Sequence, residues 1–280
     1  MHADRYQTKK QLGQHFLHEA GVVDRIVRAI DPAPGDRLVE IGPGQGALTL
    51  PLLRRILEVS GDAPPDPALT VIEFDRDLIA GLERISAGVA PLRIIHADVL
   101  EVDLSTLGKN GPIRLVGTLP YNISSPILFH ALDHAASIVD MHFMLQKEVV
   151  DRMAAEPGSK VYGRLSVMLQ AHARVQALFR VPPGAFRPPP KVDSAIVRLL
   201  PRAPSEIGIA DPAVFSHIVK AAFGQRRKML RQSLKTLTPM PALLLAEAGI
   251  SPEDRAERLT VAQFATLASI VDRGESFSRG

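Results

Sequence analysis

The sequence predicts an α/β fold, a parallel sheet covered by helices on both faces, followed by a small helical domain. Three observations predict it. From Leu38 to about Gln146, short apolar runs alternate with helical patterns. The runs are continuously apolar, as in strands buried on both faces. Past Pro201–Pro204 the pattern becomes helical throughout.

Taken in order, Arg37–Ile41, Leu69–Glu73, Leu92–His96, Ile113–Gly117 and Met141–Leu145 read as strands. Ala47–Val59, Asp77–Ser86 and Pro126–Ala136 read as the helices between them. Ser60–Ala68, rich in Pro, Asp and Gly, reads as a loop. Pro182–Pro190 holds five prolines in nine residues, so it is neither helix nor central strand. The flanking runs Ala173–Val181 and Ala195–Leu200 are placed as an antiparallel pair at the sheet edge. Ala213–Phe223, Arg226–Thr236, Ala242–Ala248 and Val261–Val271 read as helices. A boundary near residue 203 divides a catalytic domain, 1–203, from a helical domain, 204–280.

Composition narrows the function. With 280 residues, 46% hydrophobic and 22% charged, the chain is an ordinary globular protein. It has no cysteine, which excludes disulfides, thiolate metal sites and cysteine nucleophiles and allows a reducing cytoplasm. No metal site is expected. No signal peptide and no membrane span are read, so a cytoplasmic monomer is expected. Net charge is +3 and the pI about 9.3, so the placement of the charges matters more than their sum.

Ligands of such sheets sit beyond the carboxyl ends of the strands. Gly42, Glu73, Asp98 and Thr118 fall at four such ends. Gly42-Pro43-Gly44-Gln45-Gly46 lies between a strand and a helix, where glycines permit a tight turn and close approach to a ligand. The loop fits the looser dinucleotide fingerprint as well as a plain strand–helix turn. Glu40, two residues ahead, would repel a pyrophosphate but suits a ligand with a positive centre, such as S-adenosylmethionine. Glu73 can accept both ribose hydroxyls; Asp98 can accept from the cofactor adenine's amine or cap a helix. Asp75 and Asp77 read as solvated loop acids, with Asp77 capping the next helix.

Thr118-Leu119-Pro120-Tyr121 forms a corner opposite the loop. The Pro120 carbonyl, outside any sheet ladder, can accept a hydrogen bond from an exocyclic amine. Tyr121 and Phe186 are candidates to sandwich a base; Phe186 could be core, but its five neighbouring prolines favour a loop position and stacking. Loop and corner together point to methyl transfer onto the amino group of adenine.

Five motifs occur in order: Lys10-Gln11-Leu12-Gly13-Gln14-His15-Phe16-Leu17, the Gly42–Gly46 loop, Leu119-Pro120-Tyr121-Asn122-Ile123-Ser124, Phe186–Ser194 and Phe223-Gly224-Gln225-Arg226-Arg227-Lys228. With them, residues 8 to 271 resemble the small-subunit ribosomal RNA adenine N6,N6-dimethyltransferase family. The resemblance implies a Rossmann-like class I methyltransferase sheet and S-adenosylmethionine as donor. It implies a donor site of Gln14, His15, Leu17, Gly42, Gly44, Glu73, Asp98 and Thr118, and a catalytic corner of Thr118, Pro120, Tyr121 and Phe186. It further implies dimethylation of two adjacent adenosines in a terminal hairpin of small-subunit RNA, with the RNA or the immature subunit as partner. The chain departs twice. Thr118 stands where the family pattern has asparagine, and 31 positions separate Gly42 from Glu73, where the fingerprint expects about 20.

No acid occurs from Pro212 to Ala246, while Lys220, Arg226, Arg227, Lys228, Arg231 and Lys235 do. The bland reading is a solvated helical face, but a basic run uninterrupted by acids favours a footprint for RNA phosphates, with Lys220, Arg226, Arg227, Lys228 and Arg231 as the expected contacts. Arg227 and Arg231, four apart, are expected on one helix face. Arg5, Lys9 and Lys10 add a basic arm. Three alternatives stand beside the main reading. They are a large-subunit RNA methyltransferase, a dinucleotide oxidoreductase, and an assembly factor that binds RNA but transfers methyl groups weakly because of Thr118.

Overall fold

The computed structural model describes residues 14–61 and 63–273. The basic arm and Lys10–Gly13 lie outside the described residues. In chain order the elements are β1 (Phe16–Leu17), α1 (Ala20–Ile30), β2 (Leu38–Ile41), α2 (Thr49–Ser60), β3 (Leu69–Glu73), α3 (Arg76–Ser86), β4 (Leu92–His96), α4 (Leu104–Leu107), β5 (Ile113–Thr118), α5 (Ser124–Asp133) and β6 (Ile138–Gln146). Then come α6 (Lys147–Met153), α7 (Arg164–His172), β7 (Ala173–Val181), β8 (Phe186–Arg187) and β9 (Ser194–Pro201). The last helices are α8 (Pro212–Gly224), α9 (Leu230–Ser233), α10 (Pro241–Glu247) and α11 (Val261–Arg273).

The chain forms two compact units. The first reaches to Val150 and takes up Gln176–Pro201; the second holds Asp151–Val175 and continues from Arg202. A single cut near residue 203 matches the last crossing and leaves out the two that bracket Asp151–Val175. Tyr162, Val167 and Ala171 share a core with Phe215, Ile218 and Phe264, which draws Asp151–Val175 to the C-terminal helices.

In the first unit a seven-stranded sheet has the order β4-β3-β2-β5-β6-β9-β7. β4, β3, β2, β5 and β6 are parallel, and β9 runs antiparallel to β6. β2 and β3 are buried at every position, which explains their mainly apolar sequence, broken by Glu40 in β2 and by Thr70 and Glu73 in β3. From β2 the chain winds outward through β3 and β4, then returns to β5 on the other side. β2 and β5 thus flank the point where a crevice opens in such sheets. Gly117 lets these strands meet, because a Cβ there would lie 2.3 Å from the Ile41 carbonyl oxygen.

The helices follow their apolar spacing. In α1, Val22, Val23, Ile26, Val27 and Ile30 share the buried face, and Glu19 caps it by accepting from the amides of Gly21 (3.1 Å) and Val22 (2.7 Å). α2 starts at Thr49 rather than Ala47, since residues 44–48 form turns. Asp75, not Asp77, caps α3: its carboxylate accepts from the Asp77 amide at 3.1 Å. Asp75 is buried rather than solvated. Pro183–Ala185 makes a single 3-10 turn before β8.

The helix expected over Arg226–Thr236 is reduced to α9 and a following 3-10 turn, with 225–228 in a turn. The amides of Leu230 and Arg231 donate to the carbonyls of Asp254 and Pro252, so they are not available to bonds from a preceding helical turn. Arg227 and Arg231 therefore do not share a helix face. No helix among the described residues is long and apolar enough to cross a membrane. No cluster of three His, Cys, Asp or Glu among them could hold a metal ion.

Candidate active site

A cavity of about 310 Å³ opens at the carboxyl ends of β2, β3 and β5. Gln14, His15, Leu17, Gly42, Gly44 and Glu73 line it, as do Asp98, Thr118, Pro120, Tyr121 and Phe186. All the expected donor and corner residues therefore come together in the first unit. They are brought there by three strand pairings. β2 sits between β3 and β5, and β1 pairs antiparallel with β8, setting Leu17 opposite Phe186 and Phe16 opposite Arg187.

The loop after β2 needs glycine at position 44, where φ is +58° and a Cβ would press on the Phe16 ring at 3.1 Å. Glu40 is wholly buried beneath the loop and accepts a hydrogen bond from the Thr49 hydroxyl at 2.7 Å. Burial pushes its carboxyl up to about 8 despite that bond, and the nearby Glu73 charge adds to the rise. Burial raises Glu73 also, against the bonds it accepts from the amides of Asp75 (2.8 Å) and Gly44 (3.1 Å). Asp98 caps a 3-10 turn through Oδ1, accepting from the Leu100 amide at 3.0 Å. Gln14 donates to Asp75 at 2.9 Å.

At the corner, the Leu119 amide donates to the Met144 carbonyl at 3.2 Å, closing the end of β5 against β6. The Pro120 carbonyl is outside the sheet ladder, as expected, but accepts from the Ile123 amide at 3.2 Å in a turn. Its second lone pair is the one that can meet a substrate amine. The Tyr121 hydroxyl lies 2.6 Å from the Ser194 hydroxyl. Phe186 sits on a strand rather than in a loop and is 2% exposed; it packs in the core and lines the cavity at once.

Phe74 was not foreseen. It follows Glu73, is 59% exposed and lines the cavity. An aromatic directly after an acidic strand end was the available signal, because an exposed ring there offers a flat surface.

Among the described residues, no lysine or arginine lines the cavity, whereas Glu40, Glu73 and Asp98 do. A cation fits such a site and a pyrophosphate does not. Burial raises both Glu40 and Glu73, and acids so placed suit a ligand that carries positive charge, as S-adenosylmethionine does.

The family model for ribosomal RNA adenine dimethylase matches residues 5–273. The chain belongs to the ribosomal RNA adenine dimethylase family. Ribosomal RNA small subunit methyltransferase A of Xanthomonas euvesicatoria pv. vesicatoria is 63% identical over 262 residues, 94% of this chain and 95% of that protein. The protein of that name from Xanthomonas campestris pv. campestris matches to the same extent. A dimethyladenosine transferase from Plasmodium falciparum shares the fold, with TM-score 0.76 and 24% identity over 92% of this chain and 98% of that one. The 23S rRNA methyltransferase ErmE gives TM-score 0.68 at 25% identity, over 92% and 99%. As a ribosomal RNA adenine dimethylase the chain is an enzyme that uses S-adenosylmethionine as methyl donor. The alternative of an assembly factor without methyl transfer is not favoured.

In the second unit of this dimethylase, Lys220, Arg227, Lys228 and Arg231 are exposed, and none forms an ion pair with a described residue. Arg226 differs. It pairs with Glu257 at 3.3 Å and donates to the carbonyls of Lys160 and Tyr162, so it braces the turn that carries Arg227 and Lys228.

Proposed function

We propose that this enzyme dimethylates the N6 amines of two adjacent adenosines in the 3′-terminal hairpin of small-subunit ribosomal RNA. We place it in the cytoplasm as a monomer acting on the immature subunit. The acidic cavity, lined among the described residues by no lysine or arginine and opening beside Leu119-Pro120-Tyr121, carries the chemistry. The relatives named for the small subunit, 63% identical over nearly their whole length, support the choice of subunit.

Gln14, His15, Leu17, Gly42, Gly44, Glu73, Asp98 and Thr118 are the residues that would hold the donor. Bound there, S-adenosylmethionine supplies a methyl group on an electrophilic sulfonium. Glu73 takes the ribose hydroxyls on lone pairs left beside its two amide bonds. Glu40 balances positive charge from below. Phe74 offers its exposed ring to a flat face.

The adenine amine is a poor nucleophile because its lone pair is delocalised into the ring. The Pro120 carbonyl and the Thr118 hydroxyl, accepting from its protons, favour a more tetrahedral nitrogen. Tyr121 and Phe186 flank the base; stacking on aromatics is worth about 1–3 kcal/mol per base. No strong base is required, since the proton leaves after the methyl arrives, and positioning with electrostatics carries the rate. Lys220, Arg227, Lys228 and Arg231 meet RNA phosphates, with Arg226 as their brace, and the target bases are splayed out of the loop.

The test is transfer of label from S-adenosylmethionine to undermethylated small subunits, followed by RNA digestion and separation of nucleosides. Labelled N6,N6-dimethyladenosine from the terminal hairpin is the expected product. Label confined to large-subunit RNA, or binding without transfer, would overturn the proposal. Affinity should also fall steeply with salt, and Arg227→Ala with Lys228→Ala should reduce the log–log slope by about 2.

A further inference from the structure

We propose that Ser194 is a positioning residue for methyl transfer, fixing the plane of the Tyr121 ring on which the target adenine stacks. This rests on the role given above to Tyr121. Ser194 is the first residue of β9, is wholly buried, and pairs with Gln146 of β6 within the sheet. Its hydroxyl is therefore a fixed point. A buried hydroxyl needs a partner, and the partner here is the Tyr121 hydroxyl at 2.6 Å.

Tyr121 itself lies on a turn, where the backbone alone would leave the ring free to swing. Ser194 holds the far edge of the ring. Ser124 holds the near end, its hydroxyl donating to the Tyr121 carbonyl at 3.1 Å. His15 lies offset against one face, with ring centroids 6.0 Å apart and the planes 28° from parallel. The His15 ring is tethered in turn, since its Nδ1 lies 2.8 Å from the Pro188 carbonyl oxygen and donates to it. One face of Tyr121 is thus backed by a tethered ring, and Tyr121 lines the cavity that would receive the base. The motifs around His15, Tyr121 and Phe186–Ser194 meet in this one device. A misplacement of about 1 Å at a reacting centre can cost on the order of 100-fold in rate.

The experiment compares Ser194→Ala, Tyr121→Phe, their double variant and Tyr121→Ala, each in the full chain. Three quantities are read: Kd for S-adenosylmethionine, kcat on small subunits, and quenching of 2-aminopurine placed at the target adenosine of a hairpin RNA. Ser194→Ala should keep the donor Kd within about twofold, lower kcat about 10-fold and weaken the quench. Tyr121→Phe removes the same hydrogen bond from the other side and should match it. The double variant should be no worse than either single one.

A purely structural serine would lose donor binding together with rate; in that event Tyr121→Phe decides, because it leaves Ser194 in place. Full rate and quench in Tyr121→Phe, or a double variant that multiplies the two losses, would overturn the inference while Tyr121→Ala remains impaired. Full rate and quench in Tyr121→Ala would instead overturn the stacking role, and this inference with it.

Discussion

The two ends of the same sheet bury carboxylates in opposite ways. At the amino ends of β5 and β6, Asp140 is 1% exposed and receives Arg114 twice, at 2.8 and 3.0 Å, and Arg198 at 3.0 Å. Arg114 also bonds Asp36 at 2.5 Å and the carbonyls of Ile30 and Asp31 at the end of α1. Burial pushes the Asp140 carboxyl up, but the arginines outweigh it and hold its pKa below the usual range. At the carboxyl ends, Glu40 is equally buried, meets only a hydroxyl, and rises to about 8. The fold supplies the cation at one end and leaves it to be supplied at the other. A buried acid with its counter-charge built in is part of the scaffold; one without it marks where a cationic ligand belongs.

The largest test breaks the scaffold end. Arg114→Ala would leave Asp140 short of its main partner and should cost about 3–5 kcal/mol in denaturant unfolding. A cost below about 1 kcal/mol would mean that Arg198 alone suffices. Next, Glu73→Ala should weaken donor binding about 100-fold by calorimetry, the loss of two hydrogen bonds to a charged acceptor. An unchanged Kd would remove Glu73 from the ribose site.

A smaller effect separates the two ends by pH. The folded pKa of Glu40, about 8, lies above its unfolded value near 4.5. Between these the unfolded chain has shed a proton that the folded protein keeps, so this group lowers stability as pH rises from 4.5 to 8. His142, whose pKa burial lowers to about 4, has the opposite slope between 4 and 6.5. Comparing Glu40→Gln with the parent cancels the histidine. The variant should gain steadily on the parent as pH rises from 4.5 to 8.5, with no gain at pH 4.5, in donor-free thermal unfolding. A pH-independent difference would show that Glu40 is ionised throughout. The smallest effect is Thr118→Asn, expected to raise kcat about threefold by reaching further toward the amine; equal or slower turnover counts against a direct role for the position.

Much of the sheet was legible because β2, β3 and β5 are buried on both faces and read as mainly apolar runs of strand length. The glycine loop and the Leu-Pro-Tyr corner were legible because their backbone demands are local. What was not legible depends on distant partners. Nothing near Asp151 announces that it leaves the sheet for the helical core, since Tyr162 finds its partner at the Leu259 carbonyl, 2.9 Å away. Arg226 looked like its neighbours until Glu257 and two carbonyls claimed it. α9 begins only at Leu230 because Asp254 and Pro252, beyond any helical window, take its first amides.

The pairing of β1 with β8 bears on how the enzyme comes into being. Leu17 leaves the ribosome 169 residues ahead of its strand partner Phe186, so β1 and β8 pair only once the chain has been made as far as Phe186. A nascent chain shorter than that can assemble β2 to β6 but lacks the wall that His15, Phe16 and Phe186 give the cavity. Methyl-donor binding therefore belongs to a late stage of synthesis, and a truncation before Arg187 should yield a sheet without a site.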